Sequence, residues 1–138
     1  AEDFSRRLGA SDLFVVFKRR DTPDEVTPLH LVGNVAGRVA IIIDDIISTG
    51  QSLITAADSL LEEGAKEVHA CAVHADFTQA VVDRLESSSI SSILVTDTIP
   101  IHNQRQAGSK IKVCSTGQIF AETINRIHGH ESVSALFS

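Results

Sequence analysis

Two adjacent carboxylates, Asp44 and Asp45, stand a few residues before Ser48, Thr49, Gly50, Gln51 and Ser52. Paired carboxylates accept hydrogen bonds from the vicinal hydroxyls of a sugar. Small hydroxyl residues and backbone N–H groups at a helix start form a seat for a phosphate. Gly50 lets the backbone come close to a ligand or take a positive φ. Together these residue types predict a sugar-phosphate site. Helix capping by Ser48 or Thr49 would explain a hydroxyl. It would explain neither the two acids nor the apolar run that precedes them.

That run, Val39-Ala40-Ile41-Ile42-Ile43, lacks period-2 alternation. It predicts a strand of a parallel sheet covered on both faces. The acids then stand at the C-terminal edge of the sheet, where open α/β folds bind ligands. After the loop, Leu53, Ile54, Ala57, Leu60 and Leu61 share one helical face, and Gly64 ends the helix. A strand over 68–73 leads to His74 and Asp76, two further residues at a sheet edge. A helix over 77–85 places Ala80, Val81 and Leu85 inward. Strands over 93–95 and 111–114 follow, and Thr116 is placed to cap a closing helix with Ile119, Phe120, Ile124 and Ile127 inward.

Upstream, residues 1–8 read as a helix end and Leu13-Phe14-Val15-Val16-Phe17 as a short buried strand. Residues 29–32 and 38–41 read as a hairpin joined by a five-residue, glycine-containing connection, placed before the central strand. His30 alternates with Leu29 and Leu31 and is read as a surface residue. The alternation of strands and helices predicts an α/β fold, with a largely parallel twisted sheet and helices on both faces.

The length, 138 residues, predicts a single domain. A net charge of −6 disfavours nonspecific nucleic-acid binding or an anionic membrane surface. With neither Trp nor Tyr in the chain, platforms for stacking bases are scarce. No apolar run reaches membrane-spanning length, and no signal peptide is visible, which predicts a cytoplasmic location. Cys71 and Cys114 fall singly in predicted strands and read as small core residues, not as a disulfide. His128-Gly129-His130 lacks a third ligand nearby and reads as a helix end.

The central stretch resembles the phosphoribosyl pyrophosphate (PRPP) motif of type I phosphoribosyltransferases. Asp44-Asp45-Ile46-Ile47-Ser48-Thr49-Gly50 is more similar still to the form found in the ribose-phosphate pyrophosphokinase (PRPP synthetase) family. Gln51-Ser52 stands where that family often carries Gly-Thr. The likeness extends over the whole chain. Lys18 and Arg20 match the Lys-x-Arg pattern of the family's mobile catalytic loop. Thr96-Asp97-Thr98-Ile99-Pro100 is similar to a Thr-Asn-Thr-Ile-Pro stretch. The tail from Glu131 is similar to the family's tail, and this likeness implies that Ser132, Ser134 and Phe137 belong to an oligomer interface with a regulatory phosphate site.

The resemblance implies a type I phosphoribosyltransferase-like fold and the C-terminal half of a two-domain enzyme. That enzyme transfers the diphosphoryl group of Mg-ATP to ribose 5-phosphate, giving PRPP and AMP. Asp44 and Asp45 would hold ribose hydroxyls, and residues 48–52 the 5-phosphate. Lys18 and Arg20 would stabilise the transferring group. Mg²⁺ would be bound mainly through the substrate phosphates and the family's other half, and a homo-oligomer is implied. The family's other half supplies much of the adenine pocket and a catalytic histidine. Neither is found in these residues, so the chain alone is expected to be inactive. A non-catalytic synthetase-associated regulatory subunit and a phosphoribosyltransferase are the alternative readings.

Overall fold

The computed structural model describes residues 6–7, 9, 15–17, 30–32, 34–101 and 110–136. An antiparallel pair, β1 (Val15–Phe17) and β2 (His30–Val32), forms a small two-stranded sheet. The main sheet has four strands: β3 (Val39–Ile47), β4 (Glu67–Ala75), β5 (Ser92–Thr96) and β6 (Ile111–Cys114). They lie side by side in that order, and every pairing is parallel. Helix α1 (Gln51–Glu62) joins β3 to β4, α2 (Gln79–Glu86) joins β4 to β5, and α3 (Gly117–His128) follows β6. A short 3₁₀ turn spans Ser134–Leu136. The α/β class with a parallel sheet is as the sequence predicts.

The core lies between the sheet and the two crossover helices. Leu53, Ala57 and Leu60 of α1, with Val81 and Leu85 of α2, pack on Val68, Ala70 and Ala72 of β4 and Ile93 and Val95 of β5. Consecutive parallel strands joined by right-handed crossovers place both helices on one face. Ile90, in the serine-rich turn after α2, is fully buried and closes that layer. Ala80, expected inward, is exposed, because the buried positions of α2 are Val81 and Leu85.

Three further expectations are corrected. Of the expected hairpin, residues 30–32 do not pair with 38–41; β2 pairs with β1 instead. The connection at 34–38 docks on the turn between α1 and β4. Val35 is buried there, Gly37 N–H donates to Gly64 O at 2.8 Å, and Lys66 N–H donates to Arg38 O at 2.7 Å. Gly37 takes φ +71° in making this docked turn. The chain thereby leaves one sheet and starts the other, so the antiparallel pair before the central strand is built from β1 and β2.

Second, β3 is not covered on both faces: Val39, Ile41 and Ile43 are 38–52% exposed. Val73, Leu94 and Val113 continue this exposed apolar face across the sheet. The two helices that bury side chains in the core supply the cover on the opposite face. Third, α3 has no buried residue, and Ile119, Phe120, Ile124 and Ile127 are exposed. Its apolar stripe exists as the period requires, but it does not contribute to this core.

Cys71 is half-buried, Cys114 is exposed, and both are free thiols. Only Cys71 therefore fits the reading as a core residue. Burial pushes the Cys71 thiol up, which lowers its thiolate fraction. Limited alkylation of the native chain is expected to label Cys114 before Cys71, as read by peptide mass spectrometry. Equal rates would contradict this placement.

Candidate functional site

The C-terminal edge of β3 is built by a change in the pleat. Along β3 the partly buried core positions are Ala40 and Ile42, yet further on it is Ile47 that is buried. On β4 the buried positions move likewise, from Ala72 to Ala75. The offset between the strands is kept across this change, with Asp44 opposite Ala72 and Ile47 opposite Ala75, while the pairing passes over Asp45. Between the two anchors lie Asp44, Asp45 and Ile46, all exposed. Ionised carboxylates are costly to bury without partners, so the strand anchors itself on either side of them.

Each acid also ties down the backbone that follows it. Asp44 Oδ1 accepts the Asp45 N–H at 2.9 Å, and Asp45 Oδ1 accepts the Ile46 N–H at 2.8 Å. One oxygen per carboxylate is thus engaged in these bonds.

Ser48 and Thr49 are exposed, whereas Gly50 is buried with φ +72°. Gly50 is the N-cap residue of α1, and its carbonyl accepts the Ile54 N–H at 3.0 Å. The Thr49 hydroxyl accepts the Gln51 N–H at a long 3.4 Å. The loop packs on α2: a Cβ added at Gly50 would lie 3.0 Å from Leu85 Cδ2. Arg84, also on α2, donates from Nη1 to the Thr49 carbonyl at 3.0 Å.

A cleft of about 80 Å³ opens here, lined by Asp44, Ile46, Ile47, Ser48, Thr49, Gly50, Ser52 and Leu53. The fold therefore brings Asp44, Ser48, Thr49, Gly50 and Ser52 together. Asp45 and Gln51 are exposed beside the cleft and do not line it. Lys18, Arg20 and Phe137 lie outside the described residues, as do the expected helix at 1–8 in part and residues 13–14 of the first strand. The His30 side chain also falls outside the description.

The neighbouring strand ends carry a hydroxyl network. His74 is opposite Ile46, and its Nδ1 lies 2.8 Å from Thr98 Oγ1. Thr96 Oγ1 donates to Val73 O at 2.6 Å. Asp76 N–H donates to Ile47 O at 3.0 Å, fixing the end of β4 against the end of β3. His74 and Asp76 thus sit at the same edge as the acids.

Asp97 lies at the end of β5 and holds the start of α3. Its carboxylate accepts the Ser115 hydroxyl at 2.5 Å, the Thr116 hydroxyl at 2.6 Å and the Thr116 N–H at 2.7 Å. Thr116 occupies the N-cap position, but its hydroxyl donates to Asp97 and makes no capping bond. The Ser115 and Thr116 bonds hold the Asp97 carboxyl down at about 2. Because the folded value lies below the ordinary 3.8, these bonds stabilise the fold above that pH. Their contribution is lost as pH falls from 3.8 through about 2. Thermal melts across that window should fall less steeply for Asp97→Asn than for the unchanged chain. Identical pH profiles would contradict this.

At the tail, the Ser132 and Ser134 hydroxyls are 2.7 Å apart, and Arg126 Nη1 donates to Ser132 O at 3.2 Å. Arg126 also pairs with Glu122 at 2.8 Å. Among the described residues, no group of three or more His, Cys, Asp and Glu could hold a metal ion, and no helix is long and apolar enough to cross a membrane.

A family model described as the phosphoribosyl synthetase-associated domain matches residues 13–138. The chain belongs to the phosphoribosyl synthetase-associated domain family. Curated relatives of this synthetase-family chain include a ribose-phosphate pyrophosphokinase of Gloeobacter violaceus, 41% identical over 99% of this chain and 41% of the relative. Another, from Haemophilus influenzae, is 39% identical over the whole chain and 44% of the relative. The crystal structure of phosphoribosylpyrophosphate synthetase from Mycobacterium smegmatis superposes with a TM-score of 0.81 at 29% identity. That match covers 94% of this chain and 41% of the solved one. The relatives are enzymes, and the chain spans about two fifths of their length.

Arg84 is the site residue that sequence reasoning missed. It is 35 positions from Thr49, and no local spacing signals the contact. Thr98, by contrast, lies in a stretch singled out by resemblance alone.

Proposed function

We propose that the β3–α1 edge is the ribose 5-phosphate and PRPP site of a ribose-phosphate pyrophosphokinase, and that this chain corresponds to its C-terminal half as a single domain. The observation that carries this reading is the cleft itself. One carboxylate, three hydroxyl residues and a positive-φ glycine line one small concavity at the C-terminal end of a parallel strand. The exposed carboxylates of Asp44 and Asp45 are acceptors for ribose hydroxyls. The hydroxyls of Ser48, Thr49 and Ser52, with the backbone N–H groups of the loop and of the α1 start, are donors for the 5-phosphate. Gln51, exposed at the first position of α1, borders the phosphate from outside the cleft.

In the complete enzyme the 1-hydroxyl oxygen of ribose 5-phosphate attacks the β-phosphorus of ATP. The bond from that phosphorus to the AMP oxygen breaks, the hydroxyl proton is released, and PRPP and AMP result. Lys18 and Arg20 neutralise the transferring charge in this scheme. The carboxylates present suit a magnesium ion held largely by substrate phosphates, since Mg²⁺ needs only one or two protein carboxylates in such sites. Bound there, the ion would neutralise phosphate charge. Ser132, Ser134 and Phe137 belong to the oligomer-contact and regulatory phosphate reading of the tail.

Equilibrium dialysis tests the proposal. Labelled ribose 5-phosphate is retained by the folded chain and displaced competitively by PRPP, while ribose at the same concentration displaces little. No retention, or retention that PRPP leaves unchanged, would contradict it. The chain alone, given Mg-ATP and ribose 5-phosphate, is expected to form no PRPP, and ready turnover would contradict the half-enzyme reading.

A further inference from the structure

The loop that lines the cleft is held from beneath by one cation. Arg84 sits on α2, directly before Leu85, and its Nη1 reaches the Thr49 carbonyl at 3.0 Å. Leu85 is fully buried and fills the space under Gly50, where a Cβ would come within 3.0 Å of it. The peptide between Thr49 and Gly50 is planar and trans, since the described chain has no cis peptide bond. In such a unit the C=O and the following N–H point in opposite directions. A carbonyl drawn toward α2 therefore turns the Gly50 N–H away from α2. Among the described residues, no hydrogen-bond partner is seen for that N–H.

We infer that Arg84 is a positioning residue: by holding the Thr49 carbonyl it sets the peptide plane that presents the Gly50 N–H to the phosphate. This rests on the sugar-phosphate reading of the cleft. Two features make the clamp effective. A glycine at φ +72° has a wide choice of backbone conformations, so the peptide plane needs an external restraint. A charge-assisted bond from a planar guanidinium is stronger and more directional than a neutral one. Arg84 touches no substrate in this arrangement. Its effect passes through the loop backbone, and its positive charge also favours an anion nearby.

The test compares the chain with Arg84→Ala and Arg84→Lys, first without ligand. Amide relaxation by NMR reads the order parameter of the Gly50 N–H. It is expected near about 0.85 in the unchanged chain and below about 0.6 in Arg84→Ala, with Arg84→Lys between them. The amides of β4 and of the middle of α1 should stay unchanged, which separates loop positioning from loss of fold. Calorimetric titration with ribose 5-phosphate should then show a roughly tenfold weaker Kd for Arg84→Ala, partly restored in Arg84→Lys.

A Gly50 N–H equally rigid in Arg84→Ala overturns the inference whatever the ligand does. An unchanged Kd in Arg84→Ala, where the unchanged chain binds, overturns it too. If the unchanged chain binds no ribose 5-phosphate while Gly50 still loosens in Arg84→Ala, Arg84 does position the loop and only the sugar-phosphate reading fails. If Arg84→Ala fails to fold, Arg84→Gln decides the matter on the same amide. It keeps a neutral donor on an exposed side chain.

Discussion

Replacing Asp44 and Asp45 together by asparagine is expected to weaken ribose 5-phosphate binding roughly a hundredfold. Hydrogen bonds to charged groups contribute about 1.5–3 kcal/mol each, and about 3 kcal/mol lost in total corresponds to that factor. The fold should survive. Asp44 and Asp45 each spend one oxygen on the next backbone N–H, and an asparagine carbonyl can accept the same bond. Both side chains are exposed, so thermal stability should move by no more than about 0.5 kcal/mol. Inorganic phosphate supplies the internal control. Two negative charges beside an anion repel it, so its binding should not weaken in the double variant. Calorimetry with both ligands checks the pair of outcomes. Equal losses for phosphate and ribose 5-phosphate would mean that the loop had collapsed, and would remove the sugar-hydroxyl role of the acids.

The second large effect is expected at Gly50. Valine there must take φ +72°, a conformation that β-branched residues avoid, and must push Leu85 aside. Backbone strain costs about 1–3 kcal/mol and overpacking about the same again, so the loss should reach about 2–6 kcal/mol. That is a large share of a typical domain's stability of about 5–15 kcal/mol. Gly37 offers a matched comparison. Its φ is +71°, yet nothing lies within 4 Å of an added Cβ. Gly37→Val therefore meets the backbone strain without the collision. Urea unfolding should find Gly50→Val less stable than Gly37→Val by about 1–3 kcal/mol. Equal stabilities would mean that α2 does not support the loop as the structure places it.

The motif from β3 to α1 was legible because its chemistry and its fold signal coincide in one short run. An apolar strand, two acids, a hydroxyl-rich loop and a helical face each follow from local residue types. The hairpin expectation fails for the opposite reason. Residues 29–32 and 38–41 are both good strand formers flanking a glycine-containing turn, and local pattern cannot choose between pairing partners. What decides is tertiary: Val35 is buried and Gly37 binds Gly64, which turns the connection into a junction between sheets.

The stripe Ile119, Phe120, Ile124 and Ile127 shows the same limit. A helical period says which face is apolar, not what that face meets. The apolar run in β3 reports a parallel sheet correctly, while the exposure of Val39, Ile41 and Ile43 depends on what packs above them. Exposed apolar surface of this extent is uncommon in a lone domain. Thr116 stands at the cap position that its residue type predicts, but the partner of its hydroxyl, Asp97, is 19 residues away. Arg84 belongs to the same class, a long-range contact with no sequence period to announce it.

The ribose 5-phosphate site stands or falls on whether the cleft at Asp44, Ser48, Thr49, Gly50 and Ser52 holds a sugar phosphate. Isothermal titration of the folded chain with ribose 5-phosphate measures this most directly. Saturable binding at one site per chain, weakened in the Asp44→Asn/Asp45→Asn variant, is the predicted result. No binding by a well-folded chain, or binding that the double variant leaves intact, would contradict it.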